Sequence, residues 1–475
     1  MSNKNNKKEL EKIRKENNSK NNINNKNKEN ELLDKTIYVK DLSNEVKKYN
    51  KRKSIRKILI ISLSILLILL IISLVYYLDK EHKEQIRLNN IKKEQEIINN
   101  INSHYSEYVI TNKESNLYSS NNEVIGIIGK NISLSLDNIE INKDTKYFKV
   151  KDFEDTYIEY NDVEKTDSLT TYDNRYKNYI VFNENIITKD ITSFYDKDNN
   201  LIYKFNNSFN LPIIIKDNNR YGVEFNNRLL YVNSDEVVEI KYNYNTSLSN
   251  SSGVGVFNYH AFYDETNAKE RRNCNTAICH SKAQFKTHLD YFKEHNILTL
   301  KIEELEYYID GKIQLPKSIL ITIDDGPKTK IAVDMLTEYQ MYATIFLVTS
   351  WFDEASYYKT DYIELHSHGH NLHKGGDCPG GQGGAIKCLP KETLLEDLRE
   401  SSKELGGSKY FCYPFYEYNS YSISVLKEAG YTMAFTGEYG DMLTKVGMNK
   451  YIIPRFVIMT HTTIKDMDDY LNQIK

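Results

Sequence analysis

Ser318-Ile319-Leu320-Ile321-Thr322-Ile323-Asp324-Asp325-Gly326-Pro327 decides how the second half of this chain is read. Its first six residues, mostly apolar and β-branched, have the length and composition of a buried strand. The run ends on two adjacent carboxylates, and Gly-Pro then turns the backbone. Folding gains nothing from two acids at the end of a buried strand. Their repulsion and desolvation are costly unless a cation or a proton relieves them. A metal ligand beside a general base is the arrangement in which that cost serves a purpose.

Outward from this strand, residues 253–475 alternate between two periodicities. Strands are expected at 254–259, 319–323, 343–348, 362–366, 410–412 and 433–435, and helices at 281–294, 329–339, 391–405 and 420–429. Repeated βα units predict an α/β fold, a parallel sheet with helices outside, closed into a distorted (β/α) barrel. The unusual polar residues all fall just after strands, the edge that carries the chemistry in such folds.

The densest of these is Glu364-Leu365-His366-Ser367-His368-Gly369-His370-Asn371-Leu372-His373. Four histidines so close together are hard to explain by packing, since each would need its own hydrogen-bond partners. A surface pH sensor or an adventitious metal-binding tract is the plainer alternative. Spacing alone does not choose the ligands, because His366, His368 and His370 share a face of an extended segment. Tyr259-His260 follows the first strand, where a single His is by default structural. Tyr413-Pro414-Phe415 ends a later strand, and its Pro removes a ladder donor. Ile453-Pro454-Arg455 places an arginine after the last expected strand.

At these positions the chain resembles a known family. Thr322-Ile323-Asp324-Asp325-Gly326-Pro327 is similar to the first signature (TFDDG) of the polysaccharide deacetylases, the NodB-homology carbohydrate esterases, with Ile323 replacing Phe. Glu364 through His373 resembles the second, in the form found in the branch that includes the poly-N-acetylglucosamine deacetylases. Phe411-Cys412-Tyr413-Pro414-Phe415 resembles the third. The resemblance implies that Asp325, His368 and His373 hold a divalent cation. Zn²⁺ suits one carboxylate and two histidines, with Fe²⁺, Co²⁺ or Ni²⁺ as options. It implies Asp324 as general base, His260 as general acid, and a backbone amide near Phe415, shaped by Tyr413 and Pro414, for the oxyanion. There are departures. Cys412 stands where the family often has an arginine that tunes the catalytic Asp, Tyr416 stands where a Gly is common, and the fourth signature is not identifiable. Arg455 is the candidate replacement for the arginine, and His461 competes with His260 for the acid role.

The remaining half sets the location. Residues 1–57 are rich in Asn, Lys and Glu and read as a disordered cytoplasmic tail. Residues 58–78 are an apolar run long enough to span a membrane, followed by a helical stalk over 79–106. Lys51, Arg52, Lys53, Arg56 and Lys57 precede the run while Asp79 and Glu81 follow it, which predicts a single-pass anchor with the catalytic part outside. Residues 107–245 read as all-β and repeat. Val109-Ile110-Thr111 and Leu117-Tyr118 match Ile186-Ile187-Thr188 and Phe194-Tyr195 at identical spacing. They resemble two SH3-like modules, at 107–167 and 168–245, of the kind found on cell-wall proteins. A polar linker over 243–253 separates them from the catalytic domain. Five cysteines in an exterior setting predict bridges between Cys274 and Cys279 and between Cys378 and Cys388, with Cys412 a buried thiol.

With 475 residues and a formal net charge of −3, the chain has a sizeable core and no global field that points to nucleic acid. The expected activity is metal-dependent N-deacetylation of N-acetylglucosamine in peptidoglycan, which would blunt lysozyme. The alternatives are deacetylation of a surface poly-N-acetylglucosamine, or an inactive wall-binding or sensor protein that works through its β repeats.

Overall fold

No proline or glycine occurs between Asn30 and His104, and the chain forms one helix over that span, α1 (Asn30–His104). The computed structural model describes residues 30–243, 249–351, 358, 360–438 and 440–475, with side chains from residue 42 onward. Residues 1–29 of the expected disordered tail, and 244–248 of the expected linker, lie outside the described residues. Over 30–57 the expectation of disorder is corrected to helix. Good helix formers without a breaker extend a helix already nucleated by the apolar run. From Ile58 to Leu78 the apolar side chains are exposed on every face of α1, which makes this one helix long and apolar enough to cross a membrane. The chain divides into two compact units, up to Ile97 and from Ile98 onward.

The second unit begins with two copies of one strand pattern. The first contains β1 (Tyr108–Thr111), β2 (Ser115–Tyr118), β3 (Val124–Ile128), β4 (Ser133–Ser135), β5 (Tyr147–Lys149), β6 (Tyr157–Glu159) and β7 (Val163–Lys165). The second contains β8 (Glu184–Thr188), β9 (Thr192–Tyr195), β10 (Leu201–Phe205), β11 (Asn210–Pro212), β12 (Ile215–Asp217), β13 (Arg220–Phe225), β14 (Arg228–Asn233) and β15 (Val237–Tyr242). β1 pairs with β4 and β7 as β8 pairs with β11 and β15, and β2 pairs with β3 and β6 as β9 pairs with β10 and β14. Each copy makes a 3-10 turn before its last strand, and only the second adds β12. The copies are not separate bodies. β3 pairs antiparallel with β10, which joins them in one nine-stranded sheet, and Val109, Ile128 and Phe148 share a core with Phe194, Tyr203 and Leu230.

The half after residue 253 is built on parallel strands. These are β16 (Gly255–Tyr259), β19 (Leu298–Thr299), β20 (Ser318–Ile323), β21 (Ala343–Leu347), β22 (Ile363–Ser367), β23 (Tyr410–Cys412), β24 (Met433–Phe435) and β25 (Phe456–Val457). A side pair, β17 (Ala261–Tyr263) and β18 (Cys279–Ser281), stands apart from this sheet. The helices are α2 (Ala268–Asn273), α3 (Lys282–Glu294), α4 (Ile302–Ile309), α5 (Lys330–Tyr339), α6 (Lys391–Glu404), α7 (Ser420–Ala429) and α8 (Ile464–Leu471). The sheet runs β24-β23-β22-β21-β20-β16-β25, with β19 also on β20. Its edges meet at a single bridge, Phe435 to Ile453, so the expected closed barrel is an incomplete one. Strand alternation sorts the core. Phe257, Ile321 and Ile345 pack outward on Leu289 and Leu336 of α3 and α5, whereas Val256, Leu320 and Phe346 pack inward with Phe435 and Ile453. Leu320, Thr322 and Asp324 lie on that inner face, which is why Asp324 is buried. Arg175, in a 3-10 turn between β7 and β8, pairs with Glu304 of α4 at 2.5 Å, and Tyr179 bonds the same carboxylate at 2.8 Å.

Candidate active site

Register brings the chemistry to one edge of the sheet. Tyr259 of β16 is level with Ile323 of β20, so His260 and Asp324 leave their strands together. Ser367 of β22 is level with Phe411 of β23, which sets His368 beside Cys412.

Asp324 is 1% exposed and is clamped by Arg455, which is itself fully buried. Nη1 and Nη2 of Arg455 reach its two oxygens at 2.7 and 2.8 Å, in a bidentate pair. Burial opposes ionisation of this carboxyl, but the Arg455 guanidinium outweighs it, and the Asp324 carboxyl is held below its ordinary range. The arginine comes from the segment just before β25, and the place where the family often carries one is taken by Cys412. Its small thiol lies 3.0 Å from Arg455 Nη2 and 3.4 Å from Asp324 Oδ2, in the space a longer side chain would need.

Asp325 adopts φ 72, a left-handed conformation that turns its carboxylate away from that of Asp324. Its Oδ1 lies 3.4 Å from His368 Nε2 and 3.2 Å from His373 Nε2. His368 Nδ1 donates to the Cys412 carbonyl at 2.8 Å, which orients the ring and leaves Nε2 for the site. Asp325 Oδ1 is buried without a hydrogen bond of good geometry among the described residues. One carboxylate oxygen and two imidazole nitrogens thus converge within 4.8 Å, a donor set that fits a divalent cation. Burial raises the Asp325 carboxyl, but His368 and His373 outweigh it and the net shift is downward.

The other two histidines of the cluster do not join this group. The chain turns at Gly369, φ 84, and the extended alternation ends there. His366 is buried against Ser408 at 2.9 Å, and burial pushes its pKa down to about 3. His370 faces Thr349 and Glu404, while Asp397 accepts the backbone amides of His370 and Asn371 and braces the loop. Gly369 is required here, because a Cβ would meet Leu372 at 2.9 Å.

His260 lies with Nε2 3.9 Å from Asp324 Oδ2. Burial lowers its pKa, against the opposing pull of Asp324 and Asp325. His461 is exposed and lines a surface hollow with Asp441 and Asp466, so the two rivals for one role stand in different places. Phe415 adopts φ 58, ψ 15, and its ring packs 4.4 Å from His373, which also lies 5.0 Å from the half-exposed Trp351. Tyr413 and Pro414 are buried, and the Tyr413 hydroxyl is bonded to the Tyr451 carbonyl at 3.0 Å. Sequence reasoning missed Tyr416 and Asn258: the Tyr416 hydroxyl donates to Asn258 Oδ1 at 2.8 Å and lies 3.3 Å from His260 Nε2. The one signal was the bulk of Tyr416 at a position where glycine is common. The structure also pairs Cys274 with Cys279 and Cys378 with Cys388, and leaves Cys412 a buried thiol.

Residues 312–434 match the polysaccharide deacetylase family model. Poly-β-1,6-N-acetyl-D-glucosamine N-deacetylase of Staphylococcus aureus is 27% identical over 249 residues, 47% of this chain and 82% of the relative. Among solved structures, a de-N-acetylase from Aggregatibacter actinomycetemcomitans aligns at 19% identity and TM-score 0.39, over 46% of this chain and 99% of that one. The polysaccharide deacetylase BC0361 of Bacillus cereus aligns at 16% identity and TM-score 0.38, over 71% and 99%. By the family match, the chain contains a polysaccharide deacetylase domain and is an enzyme.

Proposed function

We propose that the protein removes acetyl groups from a polymer of N-acetylglucosamine outside the membrane, with a surface poly-N-acetylglucosamine as the preferred substrate. The convergence of Asp325, His368 and His373 beside an arginine-clamped Asp324 carries the reading. The activity named for the S. aureus relative favours an exopolysaccharide over the peptidoglycan expected from sequence. Peptidoglycan stays as the second reading, because a membrane-length helix and repeated, SH3-like β copies suit a polymer close to the membrane. The basic residues before the span, Lys51 to Lys57, support a cytoplasmic N-terminus and an exterior catalytic domain.

Asp325, His368 and His373 would hold a divalent cation, Zn²⁺ by donor type. When bound, the cation polarises the acetyl carbonyl and acidifies water. Asp324 takes the proton of the attacking water, and Arg455 keeps it ionised and aimed. The water oxygen bonds to the acetyl carbon, the carbon–nitrogen bond breaks, and His260 protonates the departing amine. The products are acetate and a glucosamine unit. The turned backbone at Phe415 offers an amide to the oxyanion.

The test is acetate release by the zinc-loaded full-length protein from poly-β-1,6-N-acetylglucosamine and from peptidoglycan, side by side. Asp325→Asn is expected to lose both bound metal and acetate release. Wild-type turnover by that variant would refute the site assignment, and turnover on peptidoglycan alone would restore the second reading.

A further inference from the structure

Two consecutive residues after Pro414 have left-handed backbones, Phe415 at φ 58 and Tyr416 at φ 63. Glycine meets the second of these conformations without strain, and a tyrosine does not. Yet the surroundings are fitted to this tyrosine. Thr436 Oγ1 donates to the Tyr416 carbonyl at 2.9 Å and holds the turn. The ring lies against Gly437, where a Cβ would come within 2.7 Å of it, and 5.5 Å from the Arg455 guanidinium. Strain held by several independent contacts points to a use for the side chain rather than an accident of packing.

That use is legible in the hydrogen bonds. The Asn258 amide nitrogen donates to the Tyr259 carbonyl at 3.2 Å, so its Oδ1 faces Tyr416 and accepts the phenolic proton at 2.8 Å. With its one proton committed, the Tyr416 oxygen can only accept from His260 Nε2, 3.3 Å away. His260 must then carry its proton on Nε2, the nitrogen that lies 3.9 Å from Asp324 Oδ2, while buried Nδ1 has no partner among the described residues. Among the described residues, no carboxylate fixes this imidazole through Nδ1, which is how a third group usually orients a catalytic histidine.

We infer that Tyr416 is the positioning residue for His260. Relayed from Asn258, its hydroxyl oxygen keeps a proton on Nε2 and holds the ring, so that once the imidazole is protonated on both nitrogens the Nε2 proton passes to the nitrogen that leaves the sugar and a neutral ring remains. The inference rests on the proposed deacetylation and on His260 as its acid.

The test is a double-mutant cycle on the zinc-loaded full-length protein with an N-acetylglucosamine oligomer, with an activated aryl acetate as the second substrate. The phenolate of the ester departs without a proton, so the ester reports water attack without the acid step. Tyr416→Phe, which keeps the ring, is expected to lower kcat on the amide about tenfold with KM within about twofold, and to leave ester hydrolysis within about twofold. In a His260→Asn background the same change is expected to cost nothing further. Unchanged amide turnover by Tyr416→Phe, an equal loss on both substrates, or an undiminished loss in the His260→Asn background each overturns the inference. A His260→Asn single variant with wild-type amide turnover would instead remove the acid assignment beneath it.

Discussion

At the scale of single residues, the site turns on who neutralises whom. Asp324 is an acid with almost no solvent, and it is ionised because a fully buried arginine supplies two short bonds. Removing one partner of such a pair leaves an uncompensated buried charge, at about 3–5 kcal/mol. Arg455→Met is therefore expected to destabilise the protein by that order in denaturant unfolding. It should also lower kcat by roughly 100-fold, since the carboxyl would then stay protonated and fail as a base. Bound metal should be retained, because Arg455 contacts none of the three proposed ligands. A metal ligand beside a base could be read from residues 324 and 325 alone; Arg455 could be named from sequence only as a candidate, since it stands 131 positions from Asp324 and only the fold supplies the contact. A thiol at position 412 reads as a buried cysteine in any strand, and only its neighbours show that its small size makes room for the guanidinium.

At the scale of elements, the ligand loop depends on one conformation. Gly369→Ala would place a methyl against Leu372 and strain a backbone at φ 84. Metal affinity is expected to fall by about 10–100-fold, as when the support of a ligand is lost, with a small change in Tm; titration with Zn²⁺ against a competing chelator checks this. The β copies have a corresponding weak seam. Gly129 follows β3 where a Cβ would come within 2.0 Å of the Leu201 carbonyl on the β10 side. Gly129→Val is expected to cost about 1–3 kcal/mol in thermal unfolding and to open the β3–β10 pairing to hydrogen exchange. Strand and helix positions in the catalytic half were legible because period 2 and period 3.6 differ strongly in buried βα units. α4, α8 and the two-residue β25 were not, since short elements carry too few periods to stand out.

At the scale of the whole molecule, buried neutral histidines tie stability to pH. Burial pushes His288 down to about 4, from an unfolded value near 6.5, and its Nδ1 is bonded to the Tyr259 hydroxyl. Above about pH 6.5 neither state takes the proton and the contribution is intact. As pH falls from there toward 4, only the unfolded chain is protonated, and about 3 kcal/mol is lost. His288→Gln, which keeps a partner for Tyr259 but does not titrate, is expected to flatten that part of the Tm–pH curve. By itself the sequence determined what depends on local order: the membrane-length helix, the βα alternation, the repeat of the β copies and the metal-type signatures, each written within a few tens of residues. The tertiary structure decided what depends on distance. It joined the two β copies into one sheet, opened the expected barrel at one edge, brought Arg455 onto Asp324, separated His260 from His461, and set Tyr416 on His260. Those outcomes follow from strand register and burial, which no local pattern of residues encodes.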